Sequence, residues 1–129
     1  MIIGTGIDIV QVCRFKPWVQ NPNLACRFFH EKELSVLQRG GDYAVQSLAV
    51  RFAAKEAFGK ALGSGLRGLA LKDICVVSDK YGKPELKLYD SAQILLQNSG
   101  ADVVHLTMSH EMDYAVACVI LEQRSKSFE

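Results

Sequence analysis

Strict alternation opens the chain. Over residues 2–10, Ile3, Thr5, Ile7 and Ile9 fall on one side of an extended segment, and Gly4, Gly6, Asp8 and Val10 on the other. A helical stretch with breaks at Pro17 and Pro22 is predicted over 11–28. A second helix is expected over 31–39, ended by Gly40 and Gly41. The longest element is a helix over 43–62, stopped by Gly63 and Gly65. Strands over 70–78 and 85–89 form a hairpin across Asp79 to Pro84, where Gly82 permits positive φ. Asp90 with Gln93 gives a capping-box-like start to a helix over 90–98, closed by Gly100. Strands over 103–109 and 114–122, joined through Glu111 to Asp113, finish an α+β chain: a mainly antiparallel sheet with a long helix and shorter helices laid on it.

Three places break the apolar pattern. In the long helix, Leu48, Phe52, Glu56 and Lys60 stand four apart, with Val45 and Ala49 on the same side, so two ionisable groups fall where core residues belong. A buried carboxylate needs a cation, a metal or a hydrogen-bond network. The alternative is a helix that rolls there, leaving Glu56 and Lys60 as a solvated i,i+4 pair. Asp8 is the second break, on the strand face that Gly4 and Gly6 leave open for another element, a metal or a ligand. Its alternative is a strand-end Asp that caps a following helix. Two carboxylates from different elements, each in an apolar setting, suit a hard cation such as magnesium, with phosphate oxygens and waters completing its shell. Lys60, one turn beyond Glu56, is placed to face the same phosphates.

The third break is the strand Val103 to His110, with Val104, Leu106 and Met108 on one face and His105, Thr107 and Ser109 on the other. A face of imidazole and hydroxyls suits a polar or anionic ligand, and Ala115 and Ala117 on the next strand are expected to leave it space. A solvated edge-strand face is the plainer explanation. His105 and His110 fall on opposite faces, which argues against a shared zinc ion.

Composition changes the picture little. At 129 residues with 49% apolar and 22% charged residues, the chain fits one soluble globular domain, 1–129. A net charge of +1 gives no electrostatic case for nucleic acid or membrane binding. Between Ile9 and His30, however, stand Arg14, Lys16 and Arg27 and no acidic residue, so a local basic surface for an acidic partner is plausible beside a role-free basic helix face. Cys13, Cys26, Cys75 and Cys118 show no metal-ligand spacing. No apolar run approaches the ~20 residues of a membrane span, and the opening Met1 to Gly6 lacks the features of a signal peptide. A cytoplasmic location is the expectation.

Taken in order, Gly4-x-Gly6-Ile7-Asp8, Arg51-Phe52-Ala53-Ala54-Lys55-Glu56-Ala57-Phe58-x-Lys60-Ala61-Leu62-Gly63-x-Gly65, Gly82-Lys83-Pro84, and Thr107-Met108-Ser109-His110 with Tyr114-Ala115-x-Ala117 resemble the holo-acyl-carrier-protein synthase branch of the 4′-phosphopantetheinyl transferase superfamily. The resemblance spans nearly the whole chain. It implies transfer of the phosphopantetheine arm of coenzyme A to a serine of apo acyl carrier protein, with release of adenosine 3′,5′-bisphosphate, in fatty acid biosynthesis. It also implies Mg²⁺ on Asp8 and Glu56, and Lys60 on phosphate as charge builds on the leaving group. Gly63, Gly65, Pro84, Thr107, Ser109 and His110 would line the nucleotide pocket, with His105 toward the 3′-phosphate. Arg14 and Arg27 would dock the carrier, and a homotrimer would place the pocket between neighbouring subunits. Glu56 and a water on the cation are the two candidate acceptors of the serine proton.

The chain departs from the family pattern at Phe29-His30-Glu31-Lys32-Glu33, where a threonine commonly follows the Phe. Loss of that cap costs about 1 kcal/mol unless His30 caps differently. Thr107 and Met108 also stand where Ser and Ile or Leu are commoner, and Pro17, Trp18 and Pro22 bear on carrier preference. On chemistry alone, a non-catalytic coenzyme A or nucleotide-binding module and a magnesium-dependent phosphohydrolase are the competing functions.

Overall fold

A computed structural model describes residues 1–125. The helices are α1 (Lys16–Gln20), α2 (Pro22–Ala25), α3 (Gly41–Leu62) and α4 (Asp90–Ser99), and the strands are β1 (Ile2–Gln11), β2 (Ile74–Ser78), β3 (Pro84–Leu88), β4 (Val103–His110) and β5 (Tyr114–Glu122). Short 3-10 turns cover Val12–Phe15, Glu31–Arg39 and Leu71–Asp73. The α+β class holds, but the antiparallel strands divide into a three-stranded sheet, β1-β5-β4, and the separate hairpin β2-β3.

The contact that organises the molecule lies between β1 and α3. Gly4 and Gly6 face the helix, and a Cβ on either would run into the backbone carbonyl of Ala61 or Ala57. Two residues of strand advance ~6.6 Å and four residues of helix ~6 Å, so the pairs Gly4–Ala61 and Gly6–Ala57 keep step. One more step brings Asp8 to the level of Ala53, beside Glu56. Ala53, Ala54, Ala57 and Ala61 are all buried, so the small residues of the helix match those of the strand.

Charge organises the opposite flank. Glu33 and Lys55 are both buried, and the Lys55 ammonium donates to Glu33 Oε1 at 2.6 Å. Glu33 also accepts from the backbone N–H of His30 at 3.0 Å and of Val76 at 3.1 Å. His30 replaces the missing threonine: its Nδ1 accepts from the Lys32 N–H at 3.1 Å, and its ring stacks on Tyr89.

Several local expectations change. The helical stretch does divide at its prolines, but each Pro begins a new short helix, sitting in the first turn where no N–H is needed. The segment before Ile74 is a 3-10 turn rather than strand. The helix at 90–98 is not capped by Asp90: Tyr89 holds the N-cap position, and Asp73 Oδ2 accepts from the Ser91 N–H at 3.0 Å.

The sheet face away from α3 is apolar and open. Ile7 and Ile9 are 62% and 63% exposed, and Val116, Cys118 and Ile120 of β5 lie beside them in register.

Gly6→Ala is expected to lower stability by roughly 2–3 kcal/mol, because backbone rather than side chain must move. His30→Ala should cost about 1 kcal/mol and His30→Thr should restore most of it. Denaturant melts check both.

Candidate active site

Asp8, Glu56 and Lys60 come together where β1 crosses α3. The Lys60 ammonium donates to Asp8 Oδ1 at 2.9 Å and to the Ile7 carbonyl at 3.0 Å. Its side chain is 53% exposed and that of Asp8 16%, so Asp8 is well covered and Lys60 reaches in from solvent. Both readings of the helix were half right: Glu56 is half-buried, while Lys60 lies at the surface. Burial, then the charge of Asp8, pushes the Glu56 carboxyl above the usual glutamate range, against the pull of Lys60 and Arg14. Two carboxylates that repel each other in a partly desolvated site, with Lys60 and Arg14 nearby, form an oxygen donor set that fits a hard divalent cation.

Arg14 belongs to the rim of this site. Its guanidinium lies 5.6 Å from the Phe15 ring centroid and 5.8 Å from that of Phe52. Trp18 contacts Phe15, Phe28, Phe29 and Phe52, and this aromatic cluster holds the 12–29 segment on α3. Arg27 is exposed further along the same segment.

Within one chain the remaining candidates do not meet Asp8 and Glu56. His105, Thr107 and Ser109 occupy the open sheet face, in register with Ile120, Cys118 and Val116. Ala115 and Ala117 do not make space for them, because both are buried on the helix side of the sheet. β5 separates β4 from β1, so two strand spacings, roughly 10 Å, lie between β4 and Asp8. His105 Nε2 is 2.8 Å from Glu122 Oε1, and Arg124 approaches the same oxygen at 3.2 Å. Pro84 stands between two cavities. One, of about 390 Å³, includes His105; the other, of about 340 Å³, includes His110, Gly82 and Arg51. Gly63 and Gly65 both take positive φ just past the end of α3.

The sequence model of the 4′-phosphopantetheinyl transferase superfamily matches residues 4–119. This chain belongs to that superfamily. A holo-[acyl-carrier-protein] synthase of Treponema denticola is 51% identical over 122 residues, covering 95% of this chain and 99% of that protein. The crystal structure of the Neisseria meningitidis holo-[acyl-carrier-protein] synthase superposes with a TM-score of 0.85 at 38% identity, covering 95% of this chain and 99% of that one. The Bacillus anthracis synthase, in complex with coenzyme A (3′,5′-ADP), superposes with a TM-score of 0.80 at 35% identity, covering 96% and 99%.

Two residues of the transferase escaped the sequence reading of roles. Arg51 directs Nη1 to Ser47, while its buried Nε has no hydrogen-bond partner and lies 4.0 Å from Glu33 Oε2. It lines the cavity shared with His110. Lys55 is the second, and its spacing of seven from Leu48 was the available signal.

The raised Glu56 carboxyl has a signed consequence. Between the unfolded and the higher folded pKa the folded state binds more protons, so stability falls as pH rises through that window. Glu56→Gln is therefore expected to melt at or above the wild-type Tm at pH 7 without metal, and the gap should close below pH ~4. Thermal melts across pH check this.

Proposed function

We propose that this transferase moves the 4′-phosphopantetheine arm of coenzyme A to a serine of apo acyl carrier protein, using Mg²⁺ held by Asp8 and Glu56. The observation that carries the proposal is the meeting of two repelling, partly desolvated carboxylates with Lys60 at the β1–α3 crossing. The named activity of full-length relatives at up to 51% identity supports the reaction. The coenzyme A complex of the Bacillus anthracis synthase supports the donor substrate.

The serine oxygen bonds to the β-phosphorus, the bond from that phosphorus to the bridging oxygen breaks, and adenosine 3′,5′-bisphosphate leaves. Asp8 and Glu56 would hold the cation, which would supply positive charge against the diphosphate. Lys60 already spans from helix to strand, and its solvent-exposed ammonium has donor capacity left for a phosphate oxygen as negative charge moves to the leaving group. The serine proton has two candidate acceptors, Glu56 and a water that the cation would hold. Arg14 beside the site and Arg27 beyond it receive the acidic carrier, which brings the serine toward Glu56.

A homotrimer completes the site. The apolar face of Ile7, Ile9, Val116 and Ile120 is a surface for a second copy. A neighbour seated there supplies the β4 face, with Thr107, Ser109, His110 and the nearby Pro84 turn, that a single chain keeps apart from Asp8. Gly63 and Gly65 line the nucleotide side. His105 is held by Glu122, so it turns toward a 3′-phosphate only by leaving that carboxylate. No helix among the described residues is long and apolar enough to cross a membrane; the location in this proposal is the cytoplasm. The unit of function is the 1–129 domain.

Mass spectrometry of apo carrier incubated with the enzyme, coenzyme A and Mg²⁺ should show the phosphopantetheine adduct on serine. Asp8→Ala and Glu56→Ala should each reduce transfer by about a hundred- to a thousandfold, the cost of removing one positioned charge-stabilising group. Hydrolysed coenzyme A without modified carrier would replace the proposal with a phosphohydrolase. Glu56→Gln and His110→Ala chains, each impaired alone, should regain part of the activity when refolded together if one site draws on two subunits. No recovery contradicts the shared site.

A further inference from the structure

Lys55 is buried on α3 and takes no part in the site at Asp8. Its ammonium has three hydrogens, and three acceptors meet them: Glu33 Oε1 at 2.6 Å, the Leu71 carbonyl at 2.9 Å and the Ile74 carbonyl. A buried ammonium is tolerated only with such saturation. Burial pushes the Lys55 pKa below the ordinary lysine value, and the charge of Glu33 opposes that shift.

Two of the three acceptors belong to the backbone that follows the glycine loop. The chain leaves α3 at Leu62, seven residues and ~10 Å of helix beyond Lys55. It turns at Gly63 and Gly65 and returns to the level of Lys55 by Leu71. Midway, the Gly65 N–H donates to the Gly59 carbonyl at 3.0 Å. Gly59 has no Cβ, which would stand only 2.7 Å from the Gly65 oxygen. The 63–70 loop is thus seated on Gly59 and tied down at its far end by Lys55.

We infer that Lys55 is a positioning residue for coenzyme A: through the Leu71 and Ile74 carbonyls, its ammonium holds the 63–70 loop in the shape that receives the nucleotide. This rests on the assignment of Gly63 and Gly65 to the nucleotide pocket. Glu33 supplies an internal control. It shares the ion pair with Lys55, but its other partners are His30, Val76 and, at 4.0 Å, Arg51, none of them in the 63–70 loop.

Steady-state kinetics with coenzyme A and apo carrier varied separately, alongside Tm, test the inference. Lys55→Met should raise KM for coenzyme A tenfold or more and leave KM for the carrier within twofold. Glu33→Gln should lower Tm yet leave both KM values within twofold. The paired variant Lys55→Met with Glu33→Leu removes both members of the buried pair, so it serves if the single variant fails to fold, and it should show the same rise. A rise no greater than that of Glu33→Gln, or equal rises for both substrates, overturns the positioning role. Gly65→Val separates the two levels of the reading. If it leaves KM for coenzyme A unchanged, the loop does not receive the nucleotide and the inference falls with it. If it raises KM while the Lys55 variants do not, only the role of Lys55 is wrong.

Discussion

Backbone contact between β1 and α3 is the constraint on which the site depends. Gly4 and Gly6 admit the Ala61 and Ala57 carbonyls at a separation no side chain on the strand would allow. That approach fixes both the distance and the register of the two elements. Asp8, the next residue on that face, consequently projects beside the helix instead of into solvent, and it meets Glu56 and Lys60. Desolvation of Glu56 follows from the same proximity. Close packing and the unusual electrostatics of the carboxylates therefore have one cause, two missing side chains on one strand.

The two flanks of α3 solve the problem of buried charge differently. On one, Lys55 and Glu33 neutralise each other and spend their remaining hydrogen-bonding capacity on backbone groups. Such a pair is closed to a ligand and suited to fixing geometry. On the other, Asp8 and Glu56 meet the Lys60 ammonium with Arg14 at the rim, and the site is open to solvent through Lys60. Two carboxylates from different elements at a partly exposed place suit a cation from outside. The adjacent motif residues Lys55 and Glu56 thus differ in setting, one sealed inside the fold and one half-buried at its solvent edge.

Much of this was legible in the sequence. The alternation of β1 placed the two glycines and Asp8 on one face, and Gly63 marked the end of α3. The helix stripe was less well read. Steps of four residues advance the helix about 40° beyond a full turn each time, so the line from Leu48 through Phe52 and Glu56 reaches Lys60 about 120° away from where it began. That drift explains why Glu56 is half-buried and Lys60 exposed, and why the fully buried cation is Lys55. The partners of Lys55 are out of reach of local reading, since Glu33, Leu71 and Ile74 meet it only through the tertiary fold. His30 as a cap was visible as a departure from pattern but not as a solution, because an imidazole accepts there only in one tautomer. The surroundings of Thr107 and Ser109 were misjudged for a simpler reason: which residues of β5 lie beside them depends on a register that the sequence does not specify.

The central claim is that Asp8 and Glu56 grip one divalent ion together. Titration of Mn²⁺ into the coenzyme A complex, with free Mn²⁺ followed by electron paramagnetic resonance, tests it in wild type, Asp8→Asn, Glu56→Gln and the double variant. A shared ion predicts one site per chain, large losses in each single variant, and a double variant little weaker than either. Wild-type affinity in a single variant, or losses that simply multiply in the double, would mean that the two carboxylates do not hold the same ion.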